Sequence, residues 1–208
     1  MRRWLLGAQI AASILLLSTG LLFLRNLSRT ASLDPGFRLD TLWARMTLVS
    51  SQFEKSSSIA LLVDQALARL RSDPRIDSAA FTLIVPFNDE SNRRTSLRTE
   101  ASSTPASLRF HFNIVSSNFF NTLGIPLIEG RELRDTPDDK TSIVVSASLA
   151  RRLFGSKSPI GRKIFLNIGQ GEETFNIVAV AGDTKHMALG EEEALTMYHP
   201  LTYTKTWR

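Results

Sequence analysis

The chain has 208 residues, 43% of them hydrophobic. That is room for one domain or two small ones, and too much apolar sequence for a disordered tail. Residues 1–30 hold four of the 25 basic residues and none of the 20 acidic ones. The remaining 21 and 20 nearly cancel, so the net charge of +5 is no nucleic-acid signal, and no basic patch with interleaved aromatics accompanies it. Cys is absent, which excludes a disulfide, a thiol nucleophile, a Cys-based metal site and a lipid-modified Cys.

The run Trp4–Leu24 is 21 residues without a charge, eight of them Leu. At about 1.5 Å rise per residue a helix of that length reaches about 30 Å, the thickness of a bilayer's hydrocarbon core. Arg2, Arg3, Arg25 and Arg29 flank it, where lipid headgroups favour cations. A cleaved secretory signal has a shorter apolar region followed by small residues. Here Ser18, Thr19 and Gly20 lie inside the run and four more apolar residues follow, so the helix is expected to be retained. The organisation expected is residues 1–32 as a transmembrane helix with its flanks and residues 33–208 as one water-soluble domain. Two Arg on each side leave the orientation undecided by charge alone.

Asp34-Pro35-Gly36 is a turn with a mechanism, since Pro presets φ and Gly tolerates positive φ, and it marks the joint between helix and domain. Leu42, Ala44, Met46 and Leu48 alternate with Trp43, Arg45, Thr47 and Val49, which predicts a strand. After the cap residues Ser56–Ser58, apolar side chains at Ile59, Leu62, Val63, Ala66, Leu67 and Leu70 follow helical spacing, and Asp73-Pro74 ends the helix. Ile76–Leu83 is predicted as a strand. Strand, helix, strand points to an α+β layer.

Residues 84–107 are polar and predict a long loop with a short strand at Ser96–Thr99. Arg109–Val115 alternates, with Phe110, Phe112 and Ile114 on one face and Arg109, His111 and Asn113 on the other. Ser117 is expected to cap a helix over Asn118–Leu123, closed by Gly124. Ile125–Ile128 resumes extended structure, and Asp135–Lys140 is a charged loop. Ile143–Val145 is a short strand feeding a helix of about eight residues from Ser146, with Arg151 and Arg152 in its last turn and Gly155 after it. Lys163–Asn167 and Thr174–Ala181 are strands around the turn Gly169-Gln170-Gly171, and Leu195–Tyr203 is a last strand. No internal repeat is visible.

Chemistry is sparse. His111, His186 and His199 have no second ligand at metal-binding spacing, and each is expected as a surface or partly packed residue. Gly155–Lys163 superficially looks like a phosphate loop. It has five residues between its glycines rather than four, and Ile rather than Ser or Thr follows Arg162-Lys163. There is no G-x-S-x-G elbow, so a hydrolase triad has no anchor. Asp183-Thr184-Lys185-His186 follows an apolar strand and is expected as a turn, and Glu191–Glu193 as a solvated loop. The residues therefore assign no catalytic, cofactor-binding or metal-binding role and no cofactor, and the substrate-binding residues stay unknown.

The ordered pieces resemble a known family. They are Ser117–Leu127 with Gly130-Arg131, then Val144-Val145, Ser148–Phe154 and Pro159–Arg162. Val178–Asp183 with Lys185-His186 follows, and then Tyr198 with Pro200-Leu201. The chain is similar to the MacB-like periplasmic core domain of ABC-transporter permeases in the MacB/FtsX superfamily, and its opening looks like the start of the second half of a duplicated permease. The resemblance implies an α+β, two-lobed mixed α/β domain on the periplasmic side of the inner membrane. It implies a separate ABC ATPase subunit, further permease helices and a pairing of permease halves as partners, beside membrane lipid. Its function would be to couple cytoplasmic ATP hydrolysis to extracytoplasmic transport or mechanotransmission. A complete permease of this kind has three more helices after the domain, so the chain is expected to be a fragment, a degraded gene product or a split subunit. The alternative is a stand-alone, membrane-anchored binding module without transport activity.

Overall fold

The computed structural model describes residues 2–31, 33–45, 56–86, 92–100, 106–168, 171–186 and 194–203. It divides into two units, Met1–Asp34 and Pro35–Arg208.

The first unit is the helix α1 (Arg2–Ala31). Within it Arg3–Arg29 is the one segment among the described residues long and apolar enough to cross a membrane, and every side chain from Arg3 to Arg29 is exposed. The hydroxyls of Ser13 and Thr19 donate to the carbonyls of Gln9 and Leu15, at 2.9 and 2.8 Å. Those polar groups are thereby satisfied inside the helix, as a lipid environment demands.

The second unit is a curled mixed sheet with helices packed on it. The helix α2 (Ser56–Ser72) takes the predicted place, turning Val63 and Leu67 into the core. Leu70, expected in the apolar stripe, is exposed. The side chain of Ile59 lies outside the described residues. Among the described residues seven strands follow: β1 (Asn92–Thr99), β2 (Ala106–Val115), β3 (Leu127–Gly130), β4 (Ser142–Ser146), β5 (Lys163–Ile168), β6 (Gly171–Ala181) and β7 (Thr196–Pro200). Two short helices sit between them, α3 (Phe119–Leu123) and α4 (Ala147–Phe154).

The strand order is β3-β6-β4-β7-β2-β1-β5, and β5 also pairs with β6. The ladder therefore closes on itself through six strands, with β3 added to β6 beyond the end of β5. β5 and β6 form an antiparallel hairpin running from Lys163 opposite Asn176 to Ile168 opposite Gly171. The last strand, β7, lies in the middle, parallel to β2 and antiparallel to β4. Phe110, Phe112, Ile114, Ile143, Val145, Ile164, Leu166, Phe175, Ile177 and Met197 cluster with α2 and with Leu149 of α4. A second cluster joins Val115, Val144, Ala179, Ala181 and Tyr198 to Phe37 and to Phe119, Phe120 and Leu123 on and beside α3. Interior strands such as β4 are buried along their whole length. Such strands read as continuous apolar runs rather than as alternation.

Three predicted elements differ. Thr41–Arg45 is irregular, and Leu42 is 94% exposed, so no strand runs there; Met46–Val49 lies outside the described residues. Ile76–Leu83 is no strand but an irregular segment with one isolated bridge, Thr82 to Val115. Two main-chain hydrogen bonds flank that bridge, from the Leu83 N–H to the Ile114 carbonyl at 2.8 Å and from the Ser116 N–H to the Phe81 carbonyl at 3.0 Å, and side chains supply others. The Asn113 amide accepts from the Ile84 N–H at 3.1 Å and donates to the Ile84 carbonyl at 2.8 Å, and the Phe81 N–H donates to Ser116 Oγ. In the expected loop 84–107, β1 starts at Asn92 rather than Ser96, because Asn92–Thr95 pair with His111–Leu108 of β2; β5 pairs only with Leu97–Thr99.

Candidate functional site: the joint behind the membrane helix

Immediately after α1 the chain enters the domain core. Pro35 and Phe37 are buried, and Phe37 joins the cluster of Phe119, Phe120 and Tyr198. Gly36 has φ +82, and a Cβ there would run into the Asp183 carbonyl oxygen and the Thr184 backbone. Only glycine combines that positive φ with that close approach. The Pro35 carbonyl accepts the Lys185 N–H at 2.9 Å, and the Arg38 N–H donates to the Leu123 carbonyl at 2.7 Å. Arg38 then lays its side chain across Gly124 and forks onto the Asp40 carboxylate, at 2.9 and 3.1 Å. The segment predicted as a joint is thus seated on two features, the end of α3 and the connection Asp183–His186.

That connection leaves β6 without regular structure. Asp183 turns back to α4. Its carboxylate accepts the Ser148 N–H at 2.8 Å and the Ser148 hydroxyl at 2.7 Å, with the Arg151 guanidinium 3.7 Å away. Ser148 is the second residue of α4, whose N–H has no partner within the helix. The cap residue, Ser146, accepts the Leu149 N–H at 3.3 Å, so the helix predicted to run from Ser146 begins one residue later, at Ala147. Ser146 Oγ also accepts the Thr196 N–H at 3.0 Å and donates to the Ala194 carbonyl, which fastens α4 to β7.

Thr184 and His186 point the other way. The Thr184 hydroxyl lies 2.9 Å from His186 Nε2 and 3.0 Å from the Tyr198 hydroxyl, and the Thr196 hydroxyl lies 3.0 Å from the same His186 nitrogen. The His186 ring stacks on His111 of β2, with centroids 4.7 Å apart and 13° between planes. Burial pushes the Tyr198 phenol up to about 12, so it stays protonated and serves the network as a neutral hydroxyl.

All three His are buried, contrary to the surface or partly packed placement expected. His199 lies inside the closed sheet, whereas His111, on the other face of β2, is covered by the connection that carries His186. His199 packs among Phe112, Phe175 and Tyr203, each ring centroid within 4.8 Å. Ser117 does not cap α3 either. Its N–H donates to Asp135, and the helix starts instead from Asn118 in the left-handed conformation at φ 66, with no side-chain cap. Among the described residues no group of three or more His, Asp or Glu is placed to hold a metal ion. Glu191–Glu193 lies outside the described residues.

The pattern of the MacB-like periplasmic core domain matches residues 10–207. The chain belongs to that family, which is the periplasmic domain of ABC-transporter permeases. The match runs from inside α1 through β7, so this MacB-like domain includes the joint and the connection it sits on. Among solved structures, the chain is similar to the periplasmic region of MacB from Actinobacillus actinomycetemcomitans, at 17% identity and a TM-score of 0.46, covering 67% of this chain and 55% of that one. It is also similar to the extracellular domain of the noncanonic ABC-type transporter YknZ from Gram-positive bacteria, at 17% identity and a TM-score of 0.45, covering 69% and 65%. The chain thus spans between half and two thirds of the length of these structures. No curated protein sequence matches it.

Proposed function

We propose that this MacB-like chain is part of the membrane subunit of an ABC transporter. In this reading α1 crosses the inner membrane and the domain stands on the periplasmic side. Its partners are a separate ABC ATPase subunit on the cytoplasmic side, further permease helices and a second permease half. Its work is mechanical: ATP hydrolysis moves the membrane helices, and the domain carries that motion to whatever is transported or acted on outside. We read it as neither an enzyme nor a nucleic-acid-binding protein. Among the described residues, the Thr–His–Thr–Tyr network is the arrangement that looks most catalytic, and its side chains are buried in the core.

The observation that carries the reading is the family match, which runs without a break from a membrane-length helix into the core domain. Two experiments test it. Purification of the tagged chain from detergent extracts of intact cells should bring down a nucleotide-binding subunit; its absence would count for the stand-alone anchored module. Protease added to spheroplasts should remove the domain, and a protected domain would refute the periplasmic side.

A further inference from the structure

Asp183 is placed between two things that are far apart in sequence. Its carbonyl, with the Thr184 backbone, forms the wall against which Gly36 rests. Its carboxylate holds the otherwise unpartnered N–H at the start of α4. The next residue, Thr184, joins Tyr198 and, through His186, Thr196 of β7. The residue after it, Lys185, closes a main-chain hydrogen bond onto Pro35. Four consecutive residues therefore grip the chain directly behind the membrane helix, the first turn of a helix and the central strand. Packed elements of this kind shift as wholes rather than deforming smoothly.

We propose that the Asp183–His186 connection receives displacement of the Pro35–Phe37 joint and passes it on, through Asp183 to the N-terminus of α4 and through Thr184 to β7. This rests on the reading of the chain as a transporter's membrane subunit, and it names the residues that would carry the motion within the domain. Gly36 is then a positioning residue, and Asp183 is the relay.

The test needs no transport partner, so its failure is separable from failure of the transporter reading. The full chain is placed in lipid nanodiscs and amide hydrogen exchange is followed in wild type, Gly36→Val, Asp183→Ala and the double variant. Gly36→Val should raise exchange at the Lys185 and Ser148 amides about tenfold or more, with the amides of β1 and β5 unchanged, as expected of local rather than global opening. Asp183→Ala should free the Ser148 amide by itself, and adding Gly36→Val should then add nothing there. If Ser148 stays protected in Gly36→Val while Lys185 loses protection, the joint is seated but nothing is relayed, and the proposal falls. If neither amide responds, the seat itself is refuted. Should Gly36→Val open the whole domain, Phe37→Ala keeps the backbone and removes only the buried ring, and it is judged by the same two amides.

Discussion

Ser146 shows how much one hydroxyl can hold. It caps α4, accepts the Thr196 N–H and donates to the Ala194 carbonyl. Replacement by Ala removes a helix cap and leaves the buried Thr196 N–H without its partner, while the Ala194 carbonyl keeps the Thr196 hydroxyl. Ser146→Ala should therefore cost about 2 kcal/mol, at the upper end for a cap, read as a shift in the urea midpoint with an unchanged slope. Asp139 is the corresponding charged case. Its side chain is 7% exposed and accepts both arms of Arg131 at 2.6 Å, the Arg134 N–H and the Ser142 hydroxyl. The Arg131 hydrogen bonds, ahead of the opposing effect of burial, hold its carboxyl below the usual carboxylate range. Because the folded value lies below the unfolded value of about 3.9, the stabilisation is complete above about pH 4 and is lost as pH falls towards the folded value. Asp139→Asn should lower stability at pH 7 by about 2–3 kcal/mol and flatten the acid limb of the stability curve. An acid limb as steep as in wild type would show that other carboxylates set it.

At the scale of elements, the sequence told most where local chemistry alone decides. Ser146 before an apolar run, Gly124 and Gly155 after one, and the spacing of Val63 and Leu67 locate α4, the end of α3 and α2. It told least where a partner elsewhere in the chain decides. Thr41–Arg45 alternates like a strand, but alternation does not supply a neighbour to pair with. Ile76–Leu83 has the composition of a strand, yet Asn113, some thirty residues on, takes up the Ile84 hydrogen bonds with its side chain. Asn113→Ala should strand the Ile84 N–H in the interior, while the Ile84 carbonyl keeps the Thr82 hydroxyl at 3.0 Å. We expect a loss of about 2–3 kcal/mol and raised protease sensitivity at 76–86, with β1 and β5 still protected. The joint was legible as a turn from Asp34-Pro35-Gly36. Its seat was not, because the contacts that define it join residue 36 to residues 183–185, and composition carries no trace of them. The burial of His111 and His186 was hidden for the same reason, since nothing in β2 says that a connection much later in the chain will cover it.

At the scale of the whole molecule, charge and apolarity are separated along the chain. The basic excess lies within α1, at the two ends of its apolar run, and the rest is close to neutral. Adhesion to membranes should therefore come from buried helix rather than from surface charge. High salt and alkaline carbonate should leave the full chain in the membrane pellet, and detergent should release it. Release by salt alone would mean that α1 does not span the bilayer.

The position of β7 has a consequence for how the protein is made. Of the described strands, β7 comes latest in the sequence, yet it lies between β2 and β4. Until residues 196–200 are synthesised, the two neighbours it joins have no ladder between them, and their inner faces stay wet. Folding of the domain must therefore wait until β7 has been made, while α1, which precedes the domain, already tethers it. A nascent chain is vulnerable throughout that interval, at synthesis rates of about 5–20 residues per second. Chains halted before Thr196 should be destroyed by proteases rather than accumulate as a smaller folded form, whereas chains ending just after Tyr203 should persist.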